Sequence, residues 1–185
     1  MADTYYAGID IGSTTVKLAV LDGNARLVFG DYCRHYAQIQ ETLAELLELA
    51  ASVIGAADVR LKITGSGSIN LAKHLGIGFV QEVVAVATAL QAEAPLTDVA
   101  IELGGEDAKI IYFRGGLEQR MNGVCAGGTG SFIDQMASLL QTDAGGLDEH
   151  AARYNKIYPI AARCGVFAKS DIQPLVNEEI GRAHV

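Results

Sequence analysis

The chain has 185 residues, with 22 acidic and 14 basic side chains that give a formal net charge of −8. Half of the residues are apolar, which excludes a disordered chain, and the length suits one domain or two small lobes. The acidic balance argues against nucleic acid or an anionic membrane as a partner. Because no secretory signal, membrane-spanning run or disulfide framework is visible, we expect a soluble, cytoplasmic protein.

The first half of the chain predicts several strands and one long amphipathic helix. Apolar residues recur at helical spacing from Ile39 to Ile54, and Gly55 is well placed to end that helix. Apolar runs bounded by glycine or aspartate predict the strands. In chain order, the predicted elements are strands over 5–11, 16–21 and 26–32, a helix over 39–54, a strand over 59–64, a short helix over 69–75, a strand near 79 and a helix over 83–93.

The second half repeats this order of elements. Strands are predicted over 99–103, 108–113 and 117–121, and a glycine-rich loop over 122–130 opens a helix. The repeat predicts an α/β protein with two lobes of one topology, the second of them truncated. We expect a first lobe over 1–95 and the start of a second lobe over 96–178. The last residues, 179–185, continue no pattern and are expected to be a non-native tail.

The loop after the first strand has the composition of a phosphate-binding hairpin. It joins strand to strand, which excludes a Walker A loop or a Rossmann fingerprint, since both of those open a helix. Lys17 adds positive charge there, and Asp10 can hold Mg²⁺ through water. The small residues of the loop, whose backbone N–H groups and hydroxyls can approach phosphate oxygens, are Gly12, Ser13, Thr14 and Thr15. Taken alone, the pattern is more typical of an ordinary tight hairpin with a buried aspartate.

A second loop occupies the same place in the second half of the chain. Glu102 lies near the end of its strand and is followed by Gly104, Gly105, Glu106 and Asp107. Two such loops facing one cleft would hold a phosphate chain from both sides, with Mg²⁺ between them. A nucleotide site thus becomes the favoured interpretation. Contact with Mg²⁺ and capping of the turn are equally good interpretations of Glu106 and Asp107.

The paired loops resemble the phosphate-1 and phosphate-2 motifs of the actin, sugar kinase and heat-shock ATPase superfamily. This resemblance implies a ribonuclease-H-like fold in two lobes with ATP between them, and it makes Asp10, Lys17 and Glu102 the catalytic candidates. Many members carry aspartate at the position of Glu102, so the longer side chain here could position water or hold Mg²⁺ differently. The superfamily's adenosine motif, which lies late in its second lobe, is absent from this sequence.

Cys125 and Cys164 each lie in a glycine-bearing turn before a predicted helix, where the helix dipole favours negative charge. The chain has no CxxC pair, so these two cysteines cannot form a four-thiolate site within one subunit. Spacing alone favours two buried thiols. The sharper hypothesis needs two subunits, each of which gives two cysteines to one cluster on a two-fold axis.

The remaining polar candidates receive structural roles. Cys33, in the third strand, is expected to be a small core residue. No carboxylate or cysteine stands at metal-ligand spacing from His35, His74 or His150, so all three are expected at the surface. Ser131 is expected at the start of its helix, because no partner histidine lies nearby in the sequence.

The segments 125–132 (CAGGTGSF) and 163–171 (RCGVFAKSD) resemble the paired cysteine signatures of the 2-hydroxyacyl-CoA dehydratase activators. That family includes the ATPase subunits of benzoyl-CoA reductase, and the resemblance extends over about 5–178, most closely to its long, fused members. It implies a homodimer that holds one [4Fe–4S] cluster through Cys125 and Cys164. It also implies that Mg²⁺ and ATP drive a low-potential electron from a ferredoxin or flavodoxin into an acyl-CoA dehydratase or reductase, in anaerobic metabolism.

Two other functions stay open on the sequence. A small-molecule kinase of the same fold would need a substrate base and no cluster. A non-catalytic actin-like or sensor module would use nucleotide binding to control assembly. Iron content separates the activator from both, and phosphate transfer to a small acceptor separates the kinase from the module.

Overall fold

The computed structural model of the chain describes residues 4–122, 127–162 and 164–178. It divides into two compact units, Met1–Thr97 and Asp98–Val185, and each is described by itself. Cys125 and the predicted tail over 179–185 lie outside the described residues.

The first unit is a mixed five-stranded sheet with three helices. Its elements are β1 (Thr4–Ile11), β2 (Thr15–Leu21), β3 (Leu27–Arg34), α1 (Ile39–Ile54), β4 (Asp58–Thr64), α2 (Ile69–Leu75), β5 (Gly78–Phe79) and α3 (Glu82–Glu93). The strands lie in the order β3-β2-β1-β4-β5. β2 is antiparallel to both of its neighbours, whereas β4 runs parallel to β1 and to β5. The ends of β1 and β4 therefore meet at one edge of the sheet.

Alternation along β1 and β2 decides which face of this sheet is buried. Successive side chains on a strand point to opposite faces, so the apolar residues of both strands share one face. Asp10 and Lys17 consequently lie on the other face. Each apolar side chain moved out of water contributes about 1.5–3 kcal/mol. The buried core consists of Ala7, Ile9, Ile11, Val16, Leu18, Val20, Leu43, Leu46, Ala50, Ile63 and Ala72.

The second unit begins with a three-stranded antiparallel sheet and continues with helices. Its elements are β6 (Val99–Leu103), β7 (Ala108–Tyr112), β8 (Glu118–Met121), α4 (Gly130–Leu139), α5 (Ala144–Ala152) and α6 (Gly165–Asn177). β7 lies between its two neighbours. Within the described residues β6 pairs with β7 alone, and its side chains Val99, Ile101 and Leu103 are exposed.

The strands and helices confirm the predicted α/β class, and most predicted boundaries differ by no more than one residue from those in the structure. The third strand is predicted over 26–32 but runs to Arg34, because Cys33 and Arg34 continue the ladder opposite Val16 and Thr15. None of the helices in the described ranges is long and apolar enough to cross a membrane.

Candidate functional site

The first predicted phosphate loop lies at the hairpin between β1 and β2. Asp10 and Lys17 stand opposite each other in the ladder, and the Lys17 ammonium lies 2.8 Å from Asp10 Oδ2. Lys17 is also 5.9 Å from the centre of the Tyr32 ring. Both charged groups remain partly exposed, so the pair can exchange its mutual contact for a ligand at modest cost.

The backbone of this hairpin forms a tight turn over Ser13 and Thr14. The Gly12 N–H donates to the Thr15 carbonyl at 2.9 Å and closes the turn. Ser13 is exposed, whereas Thr15 is buried. The loop thus offers small side chains and backbone groups next to a lysine, as a phosphate site requires.

A Gly-Ser loop after β4 lies against this hairpin, and its residues were not among the predicted site residues. Thr64 pairs with Asp10 across the parallel ladder. Gly65 has a φ of +95°, and a Cβ there would collide with the carbonyl of Ile11 and the carboxylate of Asp10. The Thr64 hydroxyl is buried, with no hydrogen-bond partner among the described residues. The signal available in the sequence was a predicted strand that ends in Thr-Gly-Ser-Gly-Ser.

The prediction that His35 lies at the surface is wrong, because its side chain is buried directly after β3. The ring contacts backbone groups of Gly12 and Ala37, which satisfy its polar atoms without a carboxylate or cysteine. His74 is exposed, as predicted, and His150 is half-buried in the last turn of α5. His35 therefore belongs to the surroundings of the first loop.

The second predicted loop joins β6 to β7 and carries three charged groups in contact. Lys109 lies opposite Glu102 in the ladder, with its ammonium 3.4 Å from Glu102 Oε1 and 3.3 Å from Asp107 Oδ2. The Lys109 side chain is only 8% exposed. Glu102 Oε2 is buried, and no hydrogen-bond partner for it exists in the described part of the chain. Glu106 is exposed on the same loop.

The glycines of this loop dock against the start of α4. The Gly104 carbonyl accepts from the Gly130 N–H at 2.7 Å, and the Gly105 carbonyl accepts from the Ser131 N–H at 3.0 Å. Thr129 caps the helix by accepting from the Phe132 N–H. Ser131 does stand in the first turn of its helix, as predicted. The loop is therefore joined directly, backbone to backbone, to the first turn of α4.

Cys164 is the N-cap residue of α6, where its carbonyl accepts from the Ala168 N–H at 2.9 Å. The preceding segment is tied to the same helix, because the Ala161 N–H donates to Asp171 Oδ2. Cys125 lies outside the described residues, but Gly127, two positions later, packs against Gly165. A Cβ on Gly127 would be 3.1 Å from the Gly165 nitrogen.

The structure thus gathers the predicted residues into two sets, one in each unit. Asp10 and Lys17 join the hairpin over 12–15, and Glu102 and Asp107 join the loop over 104–107. Cys33 packs against the core of the first unit, as predicted. No group of three or more His, Cys, Asp or Glu side chains in the described ranges could hold a metal ion.

Known proteins resemble this chain over nearly its whole length. The sequence profile described as the BadF/BadG/BcrA/BcrD ATPase family matches residues 7–183. The chain is 25% identical to the activator of lactoyl-CoA dehydratase from Anaerotignum propionicum, covering 98% of this chain and 71% of that protein. It is 28% identical to the (R)-2-hydroxyglutaryl-CoA dehydratase activating ATPase from Acidaminococcus fermentans, covering 91% and 66%.

A solved structure shows the same fold. The activator of the 2-hydroxyisocaproyl-CoA dehydratase from Clostridium difficile, with bound ADPNP, matches with a TM-score of 0.82 and 27% identity. The match covers 95% of this chain and 66% of that one, so the chain spans about two thirds of the length of these relatives. The predicted ribonuclease-H-like, actin-like ATPase fold is confirmed. Since the profile covers nearly the whole sequence, the chain belongs to the BadF/BadG/BcrA/BcrD ATPase family, and the prediction of an ATPase is confirmed with it.

Proposed function

We propose that this protein is an ATP-dependent reductive activator of a 2-hydroxyacyl-CoA dehydratase or a related reductase. The observation that carries the proposal is the match to dehydratase activators over more than nine tenths of the chain, one of them solved with bound ADPNP. A low-potential ferredoxin or flavodoxin would supply the electron. The two compact units would be the two lobes of the ATPase.

Both loops would take part in binding the nucleotide. At the first loop, Lys17 can turn from Asp10 to a phosphate oxygen, and the amides over 12–15 can add neutral donors. At the second loop, Glu102 and Asp107 supply carboxylate oxygens of the kind that Mg²⁺ prefers. The buried, unpartnered Oε2 of Glu102 supports this assignment, because a polar atom removed from water is costly unless something contacts it. Mg²⁺, when bound, would neutralise charge on the phosphates.

Cys125 and Cys164 would hold the [4Fe–4S] cluster together with the same two residues of a second subunit. Close backbone packing of Gly127 on Gly165 supports this, since it draws the segment that follows Cys125 towards the turn that holds Cys164. The half-buried thiol of Cys164 at the start of α6 suits a ligand near a subunit surface. The cluster, when bound, would supply one-electron chemistry at low potential.

The contacts within the second unit support a link between the nucleotide and the cysteines. The loop with Glu102 is bonded through Gly104 to the start of α4, and Gly127, just before α4, packs on Gly165. Every contact in this series joins backbone to backbone, so it transmits displacement more faithfully than flexible side chains would. Different arrangements with ATP and with ADP would then alter the surroundings of Cys164.

Iron analysis tests the proposal. The chain would be purified and reconstituted without oxygen, and iron and acid-labile sulfide measured for the wild type and for the Cys125→Ser, Cys164→Ser and Cys33→Ser variants. We expect about four irons per dimer, as one [4Fe–4S] cluster requires, lost with either of the first two variants. Cys33→Ser is the matched control and should keep its iron, because Cys33 packs against the core of the first unit.

A colourless wild type, or equal iron in the Cys164→Ser variant, would contradict the activator assignment. Phosphate transfer from ATP to small hydroxyl or carboxylate acceptors would then be assayed. Transfer would identify a kinase of this fold, and its failure would leave a module that uses nucleotide binding for assembly.

A further inference from the structure

The His35 ring lies between two backbone groups, and its surroundings select one protonation form. It is 6% exposed. The Ala37 N–H donates to Nδ1 at 3.1 Å, so Nδ1 must carry a lone pair. Nε2 lies 3.3 Å from the Gly12 carbonyl oxygen, which can only accept. The ring is therefore neutral, with its proton on Nε2, and that proton is donated to Gly12.

A second bond joins the same residue to the same hairpin. The backbone N–H of His35 donates to the Thr14 carbonyl at 3.1 Å. His35, directly after β3, thus holds two carbonyl groups of the turn over 12–15. In a trans peptide unit the N–H points opposite to the carbonyl, so the Ser13 and Thr15 N–H groups are directed away from His35.

On its other side His35 holds a strained turn between β3 and α1. Tyr36 and Ala37 have φ angles of 45° and 67°, the left-handed region that costs a residue with a Cβ about 1 kcal/mol or more. The Tyr36 side chain is 80% exposed, so packing of that side chain does not explain the conformation. The bonds from the Ala37 N–H to the ring and from the Gln38 N–H to the His35 carbonyl stabilise the turn.

We infer that His35 is a positioning residue for the first phosphate loop: through Gly12 and Thr14 it orients the Ser13 and Thr15 amides for the phosphates of the nucleotide. This inference rests on the proposed nucleotide-binding role of that loop. In this role His35 would act through the backbone of the loop and not by touching the ligand itself. Its contribution is to fix the direction of donors that would otherwise rotate with a two-residue turn, and fixed donors bind an anion with less loss of entropy.

Two substitutions distinguish the contact made by Nε2 from the contact made by Nδ1. In His35→Gln the side-chain amide nitrogen can replace Nε2 and keep the bond to Gly12. In His35→Asn the amide oxygen can replace Nδ1 and keep the bond from Ala37, but the bond to Gly12 is lost. Both variants lose part of the ring's packing, so urea unfolding should show a similar loss of stability for the two.

Calorimetric titration with Mg²⁺ and ADPNP measures the nucleotide affinity of each variant. If His35 had a purely structural role, the two variants would not differ in this affinity. We expect His35→Asn to bind ADPNP about tenfold more weakly than the wild type, as loss of one aligned hydrogen bond allows. His35→Gln should stay within about threefold on the same reasoning. Equal affinities in the two variants, or a weaker Gln variant, would overturn the inference.

The protonation form of the ring is tested without any nucleotide. ¹⁵N spectra of the ligand-free wild type at neutral pH should show a protonated Nε2 and a bare Nδ1, and the opposite form would overturn the inference. A wild type with this form that fails to bind ADPNP would refute the proposed nucleotide role of the loop, and the positioning role would fall with it. A wild type that binds ADPNP but shows no difference between the two variants would refute the positioning role alone.

Discussion

The Lys109 ammonium lies 3.4 Å from Glu102 Oε1, whereas Glu102 Oε2 is buried and, among the described residues, has no hydrogen-bond partner. One oxygen of this carboxylate thus contacts Lys109, and the other is left available for a ligand. An arrangement of this kind suits a group that completes its contacts when Mg²⁺ or water arrives with the nucleotide.

Replacement of Glu102 should therefore separate chemistry from binding. Glutamine keeps an oxygen for Lys109 but cannot carry the negative charge, so we expect Glu102→Gln to lower the kcat of ATP hydrolysis about 10²-fold. Affinity for ADPNP with Mg²⁺ should fall much less than turnover does, because Asp107 and the first loop keep their contacts. Glu102→Asp is the matched control, since it retains a carboxylate, and it should keep most of the turnover. Wild-type kcat in the glutamine variant would refute a role for this carboxylate in hydrolysis.

The buried hydroxyl of Thr64 predicts a gain in stability when it is removed. Valine has nearly the same shape without the polar atom, so Thr64→Val should raise the free energy of unfolding of the ligand-free chain by about 1 kcal/mol in urea titrations. In α3 the Thr88 hydroxyl donates to the Val84 carbonyl at 2.7 Å. Thr88→Val is the control and should bring no gain. Destabilisation by Thr64→Val would mean that its hydroxyl is satisfied in solution.

The packing of Gly165 on Gly127 leaves little room for a methyl group. A Cβ at Gly165 would be 3.2 Å from the Gly127 Cα and 3.3 Å from both the Gly127 nitrogen and the Phe132 ring, so backbone as well as a side chain must move. We expect Gly165→Ala to destabilise the chain by about 1–2 kcal/mol, as overpacking does. Gly145 in α5 would place its Cβ 3.4 Å from the Asp143 carboxylate and near no backbone atom. Gly145→Ala should therefore be neutral or stabilising, and equal losses in urea would contradict this account.

The turn between β2 and β3 should contribute to stability in a pH-dependent way. The Arg26 N–H, together with that of Asn24, donates to Asp22 and lowers the pKa of this carboxyl below its usual value. A lowered folded pKa means stability that is present above about pH 4 and is lost as the pH falls through the folded value. Urea titrations between pH 5 and pH 2.5 should show a weaker pH dependence for Asp22→Asn. Identical curves for variant and wild type would contradict the assignment.

Patterns that are local in sequence predicted most of the fold. The spacing of Leu43, Leu46 and Ala50 indicated the buried face of α1, and the strand-turn-strand order indicated the antiparallel hairpins of both units. The glycine and acidic residues of both loops became site candidates because the pattern occurs twice and because phosphate chemistry demands small residues and nearby charge; their roles stay predictions.

Contacts between segments that are distant in the chain could not be predicted from the sequence. His35 was predicted to lie at the surface, because no partner side chain for it could be found in the sequence. Its partners are backbone groups of Gly12 and Ala37, and every residue has such groups, so they cannot be predicted from residue types. The unpartnered hydroxyl of Thr64 depends on the parallel pairing of β4 with β1, which two strands separated by a helix do not reveal. The approach of Gly127 to Gly165 depends on how the residues beside α4 and α6 pack.

The edge of β6 has a consequence for concentrated solutions that follows from its exposed side chains. Its outer side chains Val99, Ile101 and Leu103 are exposed, and within the described residues the strand has one neighbour only. An apolar edge of this kind is a template for strand addition between molecules, which natural sheets oppose with charge. Glu102 is the one charged residue of β6. The carboxylate proposed to act in hydrolysis would thus also oppose self-association, so a neutral replacement of Glu102 should lower solubility as well as turnover.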